Sequence, residues 1–360
     1  AAGQKLRVRY ADQIQALQAQ IEKALPKVDE QQKAAFLKAC QEEAAAMAAE
    51  LKALRGQDRK PAGHPSKEVY EAAKQSLVRA KKNAQPVAKA MLDVLERFLA
   101  SDKLDSQLAK HAVLAEATPR GLAEFAQQGK EQETLVEKLL ADDELMKQMV
   151  LADGAKDGKY GQAMKIYTDI QIASARAADG VLQRLALAIA LEHAVPIKQR
   201  NAVALTDAPA TVNPVNRYLH YEKAFLGGEL DPGFEGLSAW DLRMVVNGEE
   251  PDEILAWGRE MLRNYRPDHI STPDYRWRYV AAVRTDIKYG SQDNQYDKPE
   301  LQFFQNILMN GGVCGRRAFF GRFILRAFGV PTTRRPQPGH AALAHWTPDG
   351  WVVCLGGGWG

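Results

Sequence analysis

Cys314 and His340 are the two residues of this chain whose types and settings point to covalent chemistry. Cys314 stands in Gly311-Gly312-Val313-Cys314-Gly315, where glycines allow a sharp turn and close backbone approach. The segment from Arg316 to Phe328 then reads as a helix stopped by Gly329 and Pro331. A thiol at a helix start meets unsatisfied N–H groups and the positive end of the helix dipole. Both favour the thiolate, and the same N–H groups can stabilise an oxyanion during acyl transfer. His340 opens the expected strand His340-Ala341-Ala342-Leu343-Ala344-His345-Trp346, which would set an imidazole as a base for that thiol.

The elements that must hold this pair are legible. Phe319, Phe320, Phe323, Ile324 and Ala327 repeat at helical spacing and form a buried face, with Arg322 and Arg326 one turn apart off that face. Thr347-Pro348-Asp349-Gly350 is a hairpin signal, and Trp351-Val352-Val353-Cys354-Leu355 reads as the returning strand. Both strands are expected to pack beside the cysteine helix.

Taken together, these signals resemble the transglutaminase-like superfamily, circularly rearranged relatives of papain-type enzymes. The shared pattern is Gly312-Val313-Cys314 at a helix start, Gly329-Val330-Pro331 at its end, His340-Ala341 on a strand and Gly350-Trp351-Val352 on the return strand. It covers about the last sixty to seventy residues, as four ordered signals. The resemblance implies that Cys314 is the nucleophile and His340 its general base. His345 lies five residues further along the strand, facing away from His340, and is the less favoured base. The family places an Asp a few residues after Gly-Trp-Val to orient the imidazole, whereas this chain reads Val353-Cys354-Leu355-Gly356 there. Asp349 is the one acid in the last sixty residues, at the hairpin tip. Asp349, a backbone carbonyl, an amide side chain or an acid from elsewhere would orient His340, or the site is inactive. Gln305, Asn306, Asn310 and Tyr289 are the upstream candidates for an oxyanion-hole side chain.

Charge bears on the substrate. Residues 301–360 hold six arginines, no lysine and one aspartate, a local balance of +5 in a chain of net charge +3. Arg316, Arg334 and Arg335, with Trp346, are the expected substrate-binding residues, because guanidinium groups near the cleft would attract carboxylates. Three readings follow. A thiol enzyme would transfer or hydrolyse an amide acyl group of a peptide or protein substrate. A lyase acting on an anionic uronate polysaccharide would use His340 and the arginines without a nucleophilic Cys314. A catalytically silent scaffold would use the helical arm to bind partners.

The remaining chain supplies the frame. Stretches Ala11–Ala24, Glu30–Leu54, Lys67–Phe98 and Gln132–Leu151 carry apolar residues at three-and-four spacing between Lys, Glu and Gln, and predict long helices. The expected organisation is α+β: a helical bundle or elongated arm over 1–199, a Pro/Gly-rich connector over 200–236 and a transglutaminase-like domain over 237–360. Tyr218, His220 and Tyr221 of the connector would line a groove or pin it to a core. Ser238 and Asp241 form a capping-box pattern, and helices are expected over Glu253–Asn264, Pro273–Ile287 and Leu301–Met309. The hydrophobic share of 46% suits ordinary cores, and no apolar run reaches the eighteen residues of a membrane span. The mixed Lys/Glu faces give no nucleic-acid stripe, and the Cys and His spacings give no metal site or cofactor. Cys40 reads as a small core residue, and Cys354 as a core residue or an oxidation partner for Cys314. Ala1-Ala2-Gly3 looks like a mature N-terminus after signal cleavage, so a secreted or periplasmic location is expected. The glycine-rich end after one return strand suggests an incomplete sheet, completed by a further chain or a missing segment.

Overall fold

The computed structural model describes residues 2–57, 67–200, 209–271, 283, 296–337 and 340–354. The helix expected over 273–287, the loop carrying Tyr289 and the glycine-rich 356–360 lie outside these residues. The chain is α+β, mostly helical with one three-stranded antiparallel sheet near the C-terminus. In chain order the helices are α1 (Ala2–Ala24), α2 (Glu30–Gln57), α3 (Lys67–Leu99), α4 (Asp105–Ala117), α5 (Pro119–Ala126), α6 (Lys130–Ala141), α7 (Asp143–Leu151) and α8 (Tyr160–Ala173). They continue with α9 (Gly180–His193), α10 (Pro214–Leu226), α11 (Ala239–Val246), α12 (Asp252–Tyr265), α13 (Pro267–Ser271), α14 (Phe303–Asn310) and α15 (Cys314–Ala327). The strands are β1 (Thr332–Gln337), β2 (His340–Thr347) and β3 (Gly350–Cys354), in the order β1-β2-β3. None of the described helices is long and apolar enough to cross a membrane.

Two compact units emerge, one of Leu17–Leu108 and the other of Ala1–Ala16 with Ala109–Gly360. They do not follow the boundaries expected at 199 and 236. The reason is α9, whose residues Leu185 to His193 are all buried and which packs on α8, α10 and α11, tying the earlier helices of this unit to the later ones. In the first unit α2 packs on α3, and Ala53 and Leu77 are buried between amphipathic faces rich in Lys and Glu. Cys40, expected in a core, is exposed on α2.

Local chemistry explains several boundaries in the second unit. The helix expected over Gln132–Leu151 is interrupted at Asp142, whose side chain accepts the N–H of Leu145 at 2.9 Å and starts α7. The expected capping box forms, with Ser238 Oγ accepting from Asp241 N–H at 3.1 Å and the Asp241 carboxylate accepting from Ser238 N–H at 3.3 Å. The 200–236 stretch is not a plain connector, since Asn213 caps α10 by accepting from Asn216 N–H and Pro214 occupies its first turn. Tyr218 and Tyr221 are fully buried there, so they serve the core.

Two histidines make this core sensitive to acid. His193 donates from Nε2 to the Val246 carbonyl at 3.2 Å, and burial with Arg217 nearby pushes its pKa down to about 3. His220 accepts from Arg259 Nη1 at 3.1 Å, and burial followed by the Arg259 charge likewise brings it to about 3. An unfolded chain protonates both near pH 6.5 while the fold holds them neutral. Their contribution is therefore complete above that pH and drains away as pH falls toward 3. Urea midpoints should drop steadily between pH 6.5 and 4. His220→Gln should flatten the slope, and an unchanged slope would refute this assignment.

Candidate active site

Cys314 is the first residue of α15 and is partly exposed. The approach to it is fixed by backbone geometry, because Gly311 and Gly312 have φ of 68° and 127°, values that disfavour a side chain. A Cβ at Gly312 would also meet Arg316 Cδ at 2.5 Å. Two arginines then hold the turn: Arg316 Nε donates to the Gly311 carbonyl at 3.1 Å and Arg317 Nε to the Gly312 carbonyl at 2.7 Å. The N-cap residue Val313 offers no side-chain acceptor, and the first intrahelical bond is Arg317 N–H to the Val313 carbonyl. The helix thus opens with donors directed at the thiol end.

The His340 strand meets the thiol there. Ala341 N–H donates to Cys314 Sγ at 3.4 Å, bringing the first residues of β2 onto the helix start. A donor aimed at sulfur favours the thiolate, as does the helix terminus. The remainder of β2 packs along α15, with Leu343 and His345 buried. His345 lies on the opposite face of β2 from His340, fully buried, with Nδ1 3.0 Å from the Trp346 carbonyl. It is a core residue, as its spacing predicts.

Aromatic packing makes α15 rigid. Phe304 of α14 lies 4.6 Å from Phe323 and 5.3 Å from Phe319, ring centre to ring centre, while Trp257 of α12 stacks on Phe323. The far end is held by polar groups: Tyr221 Oη donates to the Arg326 carbonyl at 3.0 Å and Arg259 Nη1 to the Ala327 carbonyl at 2.9 Å. A cation at the last carbonyls complements the helix dipole. Arg326 and Arg322, read from the sequence as lying off the buried face, are themselves buried because α11, α12, α14 and the sheet enclose the helix on most sides.

The other expected site residues sort differently. Asp349 is exposed in the β2–β3 turn, beyond Thr347. Thr347 is already seven positions past His340, about 23 Å at 3.3 Å per strand residue, so Asp349 cannot orient that imidazole. Trp346 sits near the same distant end, its ring against Gly233, and is a packing residue away from the thiol. Gln305 accepts from Gln302 N–H at 3.0 Å as part of the α14 capping box. Asn306 spans both backbone groups of Lys298, at 3.0 and 2.9 Å, which leaves its amide engaged in the fold. Arg316 is not a substrate arginine: it is buried, with its two terminal nitrogens on Asp297 at 2.6 and 2.8 Å. Asn310 donates to the same carboxylate at 3.1 Å.

Arg334 and Arg335 are exposed on β1. Gln337 opposes His340 and Arg335 opposes Ala342, so Arg335 shares a sheet face with His340. Among the described residues no group of three His, Cys, Asp or Glu side chains could hold a metal ion. Sequence reasoning missed Asp297, the acid that locks Arg316 and hence the turn before Cys314. Its only signal was an acid in a polar loop 19 residues upstream of Arg316. No family model, curated protein or solved structure matches this chain.

Proposed function

We propose that the chain is a papain-like, transglutaminase-like thiol enzyme that transfers or hydrolyses the acyl group of an amide in a peptide or protein substrate. The observation that carries this reading is the Ala341 N–H aimed at Cys314 Sγ at a helix N-terminus, with His340 next in sequence. Such a thiol attacks the amide carbonyl, and its proton passes through His340 to the leaving amine. The helix-start N–H groups face the developing oxyanion, and water or an amine then releases the thioester.

Trapping of the covalent intermediate tests this reading. A glutamine-containing peptide mixed with the enzyme and hydroxylamine should yield the peptide hydroxamate and free ammonia. Quenched enzyme should carry the acyl mass on the tryptic fragment with Cys314. Sustained turnover with no acyl adduct, and full activity after alkylation of Cys314, would overturn the assignment.

A further inference from the structure

Among the described residues, matching the buried arginines around α15 with the acids in reach leaves Arg322 over. Asp297 takes Arg316, Glu250 takes Arg326 at 3.0 Å, and Glu249 faces Arg200 at 3.2 Å. Arg322 is only 6% exposed, yet no carboxylate among the described residues pairs with it. Nη1 makes one long bond to the Ala318 carbonyl at 3.5 Å, its Nε has no partner, and the Phe319 ring centre lies 5.6 Å from its Cζ. The Arg326 and Arg334 charges act on it more strongly than those of Glu250 and Glu249, and β1, which carries Arg334, packs on α15. Burial, with those two like charges, brings the Arg322 guanidinium down to about 10. A cation held out of water beside like charges is costly unless an anion completes it.

We propose that Arg322 and Arg334 bind the side-chain carboxylate of an acidic residue in the peptide acylating Cys314, a refinement that rests on the function proposed above. Position and topology set the spacing. Arg322 lies two turns along α15 from Cys314, about 12 Å at 1.5 Å per residue. Arg334 opposes Leu343, two residues past Ala341. Among the described residues β1 is an edge strand, paired with β2 alone, and it runs from Arg334 toward the Gln337–His340 end. An extended peptide laid along that edge spans the distance in about three residues. The acid therefore sits about three residues from the acylated amide. Edge pairing favours a peptide over a polysaccharide, because strand addition uses main-chain N–H and C=O groups.

Two affinity labels read this site without requiring turnover: iodoacetyl-Ala-Ala-Glu-amide and its Gln counterpart, on the full chain at about 50 mM salt, where surface charges are weakly screened. The Glu label should alkylate Cys314 about tenfold faster, and Arg334→Gln and Arg322→Met should each bring the ratio close to one. A ratio within about twofold in the parent chain, or a preference that survives Arg334→Gln, overturns the site. Arg334 is exposed, so that variant remains informative if Arg322→Met fails to fold. Stronger protection of Cys314 by a galacturonate trisaccharide than by acetyl-Ala-Ala-Glu-amide overturns the peptide assignment. A Glu preference without hydroxamate formation would sink the enzyme reading and leave this site standing; the opposite pattern would sink the site alone.

Discussion

Cys314→Ala is expected to lower amide turnover by about a thousandfold or more, His340→Ala by a comparable factor, and the double variant no further than the worse single one. Nucleophile and base act as one unit, so removing either removes the covalent route and the second loss has nothing left to take. Thiol reactivity separates this from misfolding. Near neutral pH iodoacetamide should label Cys314 about ten times faster than the exposed Cys40, and His340→Ala should erase most of that advantage. Asp349→Asn, at the exposed hairpin tip, should leave activity within about twofold. Losses that multiply in the double variant, or equal labelling of the two cysteines, would mean that the pair does not work as nucleophile and base.

Arg217→Met is expected to cost about 3–5 kcal/mol of stability. Arg217 is fully buried on α10 and ties the 246–252 turn together. Nη1 donates to the carbonyls of Val246 and Gly248, each at 3.3 Å, Nη2 to that of Glu250, and Nε to the Asp252 carboxylate. Burial lifts the Asp252 carboxyl above its ordinary value, and the Arg217 charge opposes that shift. Removing the guanidinium strands a half-buried carboxylate and the carbonyls of Gly248 and Glu250, while Val246 keeps His193; Asp252→Asn keeps an acceptor and should cost about 1 kcal/mol. The same turn presents Asn247 and Glu250 to Arg326 at 2.8 and 3.0 Å, so its collapse would loosen α15 as well. Urea titrations giving Arg217→Met within about 1 kcal/mol of the parent would refute this role.

The contrast between legible and hidden features has physical causes. Apolar repeats announced α1, α2, α3 and α15, and the glycines around Cys314 announced its turn, because both signals are local. β1 was not legible: Thr332-Thr333-Arg334-Arg335-Pro336-Gln337 is polar and contains a proline, as an edge strand with one partner tolerates. The proline- and glycine-rich flanks obscured α10, although Asn213-Pro214 is a helix-start signal. The fates of Arg316, Gln305 and Asn306 depended on partners that composition cannot reveal. Asp297 turned a presumed substrate arginine into a clamp, and two side-chain amides were absorbed in capping and loop pinning. Arg322, buried with no carboxylate among the described residues, emerged only once the acids near α15 had been assigned.

α15 is clasped at one end and carries Cys314 at the other, which makes it a lever. Its 14 residues span about 21 Å, with Tyr221 and Arg259 gripping the last carbonyls and Cys314 at the first residue. A tilt of about 5° at the clasp would sweep the sulfur by nearly 2 Å, enough to uncouple it from β2 where a shift of about 1 Å already slows chemistry markedly. Substitutions in α10 or α12 can therefore tune thiol chemistry mechanically, from a full helix length away and without touching a substrate.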